Sequence, residues 1–219
     1  MTKFVLEELE TPLAQAGLLI PMRATKFGII QSHFHFFSIL EKYSPETCTF
    51  FTPVEELGFA LHEMHEVSGL ILGDLPYEEF VPGSTELKLL KKTSPEIYAT
   101  LWEVMCHFHI CMQLTGARGS GIKQVSWAEY LFQNLTTKGG SVTRLPVKFE
   151  SFHYQALIPI SNAALLAGFL MLWLKRCVVP TRPVDALAIE VVYPAVLLAH
   201  GRPVSLLSAM VGCLQYGLR

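Results

Sequence analysis

The sequence predicts an α+β fold, predominantly α-helical, built as a single compact domain with a small N-terminal β-hairpin. Three observations carry that expectation. Ser94-Pro95-Glu96 is a strong helix start, and Ile97, Leu101, Val104, Met105, Phe108 and Met112 follow it at helical spacing. The last third contains three apolar stretches punctuated by Pro180, Pro183, Gly201 and Pro203. Between residues 48 and 60, two short runs rich in β-branched and aromatic or apolar residues flank a turn-like Pro53 to Glu56.

Taken in order, the apolar run Phe27 to Leu40 must end at Ser44-Pro45-Glu46, because proline has no N–H with which to continue a helix. Cys48 to Thr52 and Leu57 to Ala60 then form the hairpin. From Leu61 the period changes. Leu61, Met64 and Val67 recur every three residues with His62, Glu63, His65 and Glu66 between them, and Gly69 stands where an amphipathic helix ends. Gly73 to Gly83 reads as a loop and Leu87 to Lys92 as a short helix. The helix opened by Ser94 runs to about Leu114, with a serine cap, a first-turn proline and an acid near the positive end of the dipole. Gly116 to Gly121 breaks the chain, Ser126 to Leu135 reads as a helix, and Thr136 to Val147 as a polar, glycine-containing loop. Phe149 to Pro159 fits strand or loop. Three helices close the chain: Asn162 to Cys177, Val184 to His200 with a kink at Pro194, and Val204 to Tyr216.

Composition narrows the class. The 219 residues are 51% hydrophobic and 16% charged, enough for one sizeable core and apolar enough to imply a covered or partner-facing surface. Residues 1 to 103 hold 15 acids and 7 bases, residues 104 to 219 hold 4 and 10, so the two halves could attract each other. The five cysteines (Cys48, Cys106, Cys111, Cys177 and Cys213) include no C-x-x-C pair, the usage of a reducing compartment. The opening MTKFVLEELETPL lacks an apolar core of signal-peptide length, which argues against secretion. Tyr154 to Leu174 is 21 uncharged residues followed by Lys175 and Arg176, the length of a membrane span. Pro159 interrupts it, and Ser161 or Asn162 would cap a shorter helix, so a buried core helix is expected and no membrane partner.

No catalytic constellation emerges. His62 and His65 lie three apart where a zincin helix needs four. His107 and His109 lie about 200° apart on a helix, as do His33 and His35, so of the Cys106 to Cys111 cluster only His107 and Cys111 share a face. Those two could hold a zinc completed by remote residues, or simply fill the core. Gly116 to Gly121 mimics a phosphate loop, but the lysine comes at 123 and Gln124 stands where a serine or threonine should follow. There is no G-x-S-x-G elbow.

Residues 44 to 82 bear a family resemblance. Tyr43, Pro45, Glu46, Thr47, Thr49 and Phe50, then Leu61, Glu63, Met64, Val67, Gly69 and Leu70, match a W-x-P-E-T-x-T-F-like motif leading through a hairpin into L-x-D-V-x-x-h-x-G-L. On these residues the chain resembles the plant mobile domain family, long labelled "aminotransferase-like", in its retroelement-associated subgroup. Tyr43 stands at the usual tryptophan, Glu63 at the usual aspartate, and Ala60 at the usual Ser or Thr cap. The resemblance spans roughly residues 27 to 219, leaving 1–26 as an N-terminal extension and 27–219 as the domain. It implies a nuclear, non-catalytic interaction domain linked to transposon silencing and gene-expression control, with a protein partner such as a PPP-type phosphatase-like protein. The matched residues are expected to be structural. No cofactor is expected: pyridoxal phosphate chemistry needs a Schiff-base lysine, a pyridinium partner and a phosphate cup, and none can be placed.

Two alternatives remain open. Arg118, Lys123, Lys138, Arg144 and Lys148, facing the single acid Glu129 and interleaved with Trp127, Tyr130 and Phe132, could bind DNA or RNA, or could be a solvated face over core aromatics. An enzyme with a dispersed site, and homo-oligomerisation, are compatible with the same sequence.

Overall fold

A computed structural model describes residues 9–25, 27–28, 32–116, 121–132, 135–138, 141–144, 160–180, 183 and 185–218. It is α+β and mainly helical, with a small antiparallel sheet near the N-terminus.

The core forms around α8, Asn162–Trp173, in which every residue from Ala164 to Trp173 is buried. A helix apolar on all sides needs cover on all sides. It receives that cover from α9 (Val192–Ala199), α6 (Pro95–Thr115) and α7 (Gln124–Phe132). Of the two caps the sequence offers, Ser161 and Asn162, it is Ser161 that caps α8, its Oγ accepting from Ala164 N at 3.2 Å. Glu103 on α6 in turn accepts from Ser161 N at 2.6 Å and Ser161 Oγ at 2.7 Å, fixing the start of α8 against α6. No helix among the described residues is long and apolar enough to cross a membrane.

Where α7 meets α8, the Trp127 indole N–H donates to the Gly168 carbonyl at 3.0 Å. A Cβ at 168 would lie 2.6 Å from Leu131 Cδ1 and 3.2 Å from the Trp127 ring, so with any larger residue the Leu131 side chain would have to shift. The helix α6 ends at Gly116, left-handed at φ 63°, and α5 (Ser84–Thr93) precedes it, its first turn closed by Glu86 accepting from Gly83 N at 2.6 Å.

Residues 9 to 24 join this core. The helices α1 (Glu10–Gln15) and α2 (Leu19–Ala24) bury Leu13 and Met22 fully, with Leu18 between them, and α1 packs on α9. The segment set apart in the sequence as an extension therefore supplies core side chains.

The hairpin expected from Cys48 to Ala60 is a three-stranded antiparallel sheet, order β1 (Tyr43–Ser44), β2 (Thr49–Phe51), β3 (Glu56–Leu57). The extra strand arises because the chain leaving α3 (His33–Leu40) extends before Pro45 and pairs Tyr43 with Phe50. The amphipathic helix is α4, Leu61–Ser68, closed by Gly69 at φ 70°, whose N–H donates to His65 O at 2.7 Å. Ala60 at its start offers no side-chain cap.

Three expectations need correction. Thr136 to Val147 is not all loop: β5 (Leu135–Lys138) pairs with β6 (Ser141–Arg144), and the register pairs the β-branched Thr136 with Thr143 and Thr137 with Val142. Gly139-Gly140, a favoured hairpin-turn pair, stands between them in sequence. The helix read from Val184 starts eight residues later. Ala186–Leu187 forms β7, pairing with β4 (Ile122–Lys123), and a 3₁₀ turn, Ile189–Val191, leads into α9. Pro194 then lies in the first turn of α9, where its missing N–H has no helical acceptor to lose, rather than at a kink. The last helix, α10, is Leu206–Leu218, and α8 continues as a π-turn, Leu174–Val178. Phe149 to Pro159 lies outside the described residues.

Candidate functional site

The most unusual region is the lobe of residues 32–68, comprising α3, the sheet β1-β2-β3 and α4. None of its residues is buried. Yet nine of the nineteen exposed large apolar side chains among the described residues belong to it. The others are spread along the chain from Ile20 to Tyr216, and scattered apolar exposure is ordinary for a protein surface.

The concentration is greatest on α3. Ser32 caps it, its Oγ accepting from His35 N at 3.4 Å, and Ser38 Oγ donates back to Phe34 O at 2.9 Å, so the local sequence specifies a helix. Phe34, Phe36, Phe37 and Ile39 are 77%, 55%, 57% and 56% exposed. At 100° per residue these four cover an arc of roughly 220°. An arc that wide does not fit a helix lying on one flat surface, and α3 forms no extensive packing with another described element. The helix is presented rather than stored.

The sheet beneath it is held by small contacts. The Tyr43 and Phe50 rings lie 5.1 Å apart and Phe50 meets Phe59 edge-on at 5.5 Å. Thr47 and Thr49 share a hydroxyl hydrogen bond of 2.6 Å, Thr49 donates to the Glu56 carboxylate, and Thr52 Oγ1 donates to Glu55 O at 2.7 Å. Cys48 takes the left-handed turn position at φ 58°. Tyr43, Pro45, Glu46, Thr47, Thr49 and Phe50 thus build this turn and sheet, while Leu61, Glu63, Gly69 and Leu70 belong to α4 and its end. Leu70 is the first buried residue after the lobe. His65 Nδ1 lies 2.6 Å from Leu70 O, and α4 packs on α10, which joins lobe to core.

The other candidates do not assemble. His107 Nδ1 meets the Tyr130 hydroxyl at 2.7 Å, and His107 and Cys111 are both buried, while His109 is exposed beside Gln113. Burial pushes the Cys111 thiol up to about 12, which disfavours the thiolate a metal would need. Among the described residues no three His, Cys, Asp or Glu side chains gather to hold a metal ion.

Of the basic set, Lys123 is exposed on β4, and Lys138 and Arg144 stand at opposite ends of the β5-β6 ladder. Arg118 and Lys148 lie outside the described residues. The aromatics between them do not line a surface. Trp127 and Tyr130 are buried and stacked, 5.7 Å apart, and Phe132 is half-buried against Phe169, so the first two cannot stack on bases.

Sequence reasoning missed the aromatic face of α3. Its signal was available: a helix-forming stretch apolar around more than half its circumference yet too short to cross a core.

One pH effect follows from the body of the protein. His200 at the end of α9 lies 2.9 Å from Thr100 Oγ1 through Nε2; burial lowers its pKa, Arg202 adds to the lowering and Glu96 opposes it. The folded chain then binds fewer protons here than the unfolded one. This contribution is intact above the ordinary histidine value of about 6.5 and is lost as pH falls through it. Thermal melts from about pH 7.5 to 5.5 should show a falling Tm, with a smaller slope in His200→Gln. Equal slopes in the two proteins would rule His200 out.

No protein-family model, curated protein or solved structure matches the chain.

Proposed function

We propose that the chain is a non-catalytic protein-interaction module that docks a protein partner on the 32–68 lobe. One observation carries the reading: a lobe that buries nothing exposes nine large apolar side chains. With roughly 200 Å² per large apolar side chain, Phe34, Phe36, Phe37 and Ile39 on α3 expose roughly 400–500 Å², already comparable to the largest patch on a typical monomer. Phe51, Leu57 and Leu61 of the same lobe expose further apolar area, against the ~800 Å² that each side of a standard interface buries. The resemblance to the plant mobile domain family supports a nuclear setting in transposon silencing and gene-expression control, with a PPP-type phosphatase-like protein as the partner.

The test is a comparative pull-down from plant nuclear extract, treated with nuclease, using the wild-type chain and Phe34→Ser/Phe37→Ser. Both side chains are exposed, so the double substitution should change stability by less than about 1 kcal/mol. It should nonetheless remove the wild-type partners. Partners retained at wild-type levels by the variant, or lost from both proteins on nuclease treatment, would refute docking on this face.

A further inference from the structure

We propose that the segment docked on this lobe carries lysine or arginine beside its apolar anchors. The inference rests on the docking reading above and adds the charge of the partner. Residues 32–68 contain six glutamates and one lysine. Glu41 caps the end of α3, Glu46 lies between β1 and β2, Glu55 and Glu56 lie at β3, and Glu63 and Glu66 lie on α4; all six are exposed. Glu56 accepts from Thr49, and among the described residues none of the six is in an ion pair. The lobe that carries the apolar face of α3 therefore holds six carboxylates against the single lysine Lys42, and among the described residues no ion pair neutralises them.

That charge discriminates among occupants. Two copies meeting lobe to lobe would bring like charges together around the apolar contact. An anionic lipid surface or a nucleic acid would meet the same repulsion, although aromatic side chains suit a membrane interface. A cationic amphipathic protein segment satisfies both features at once: its apolar side chains cover the α3 aromatics while its basic groups reach the glutamates and its alkyl stems lie along the rings. The width of the α3 arc further favours a partner that wraps the helix over one that lies flat against it.

The experiment measures fluorescence anisotropy of three labelled synthetic helical peptides titrated with the full chain. The peptides share one leucine-rich face and differ in the other, which is Lys/Arg, Gln or Glu. The cationic peptide should bind at least about tenfold tighter than the Gln peptide, and the Glu peptide weakest. The preference should shrink at about 0.5 M salt, where the Debye length falls below ~5 Å, and in Glu41→Gln/Glu55→Gln/Glu66→Gln, which alters surface side chains only. Equal binding of the cationic and Gln peptides, both lost in Phe34→Ser/Phe37→Ser, would overturn the charge assignment and leave the docking reading standing. Binding to none of the peptides, or binding that the double substitution leaves unchanged, would overturn both. Flotation of the chain on phosphatidylserine vesicles, or a concentration-dependent dimer, would also overturn the proposal if abolished by that double substitution.

Discussion

Trp127→Ala is expected to remove about 4–6 kcal/mol of folding free energy, a large share of the ~5–15 kcal/mol that holds a domain of this size together. The side chain is fully buried, between Phe108 at 5.6 Å and the stacked Tyr130 at 5.7 Å. Truncation to alanine costs about 3–5 kcal/mol for an aromatic of this size, because the cavity left behind collapses only in part. The lost hydrogen bond to Gly168 O adds about 1 kcal/mol. Burial should dominate over the hydrogen bond, so Trp127→Phe, which keeps a ring but not the donor, should cost roughly half as much. Trp102, 56% exposed on the same α6-α7-α8 body, provides the contrast: Trp102→Ala should cost less than about 1 kcal/mol. Urea unfolding followed by far-UV circular dichroism checks all three, and similar losses at 127 and 102 would show that the α7-α8 contact is not the centre of the core.

Gly73→Ala should cost about 3–4 kcal/mol, the second largest effect. At φ 63° any Cβ is strained, and here it would lie 2.5 Å and 2.6 Å from Val204 C and O and 2.7 Å from Ser205 N. These are backbone atoms, which cannot rotate aside as a side chain would. Relief requires opening the contact between the chain after α4 and the start of α10. That contact contains four hydrogen bonds: Asp74 N and Leu75 N donate to Pro203 O at 2.9 Å and 3.2 Å, Ser205 N donates to Leu75 O at 2.7 Å, and Leu207 N donates to Ile71 O at 3.4 Å. Each contributes about 1 kcal/mol. Gly116 separates the two causes, since it has the same φ of 63° with nothing within 4 Å of its Cβ position. Gly116→Ala therefore isolates the left-handed strain, about 1 kcal/mol after the alanine's smaller unfolded-state entropy is counted. Equal losses at 73 and 116 would show that the crossing yields without cost.

The body and the lobe differ in how far their roles were legible. Ser161 was identifiable as the cap of a shortened helix because capping is local: a hydroxyl three residues before an N–H needs only its own segment. The same holds for Gly69 closing α4 and for the helix opened by Pro95. The fate of the aromatics was not local. Trp127 and Tyr130, read as base-stacking candidates or core, turned out to be core because α8 presents Gly168 to Trp127 from 41 positions away and α6 presents His107 to Tyr130 from 23 positions away. Residues 9 to 24 look separable in sequence, yet Leu13 and Met22 are buried because α9 arrives beside them.

By itself the sequence determined the helical class, the three-residue period of α4, the sheet-forming runs after Pro45 and the caps that start and stop the helices, since propensity, period and capping operate within a few residues. Only the tertiary structure decided which apolar helix would be covered. Both α3 and α8 are apolar around most of their circumference. The second is enclosed by α6, α7 and α9, and the first has no comparable neighbour among the described residues, because burial depends on which distant segments arrive at a helix and not on the residues that compose it.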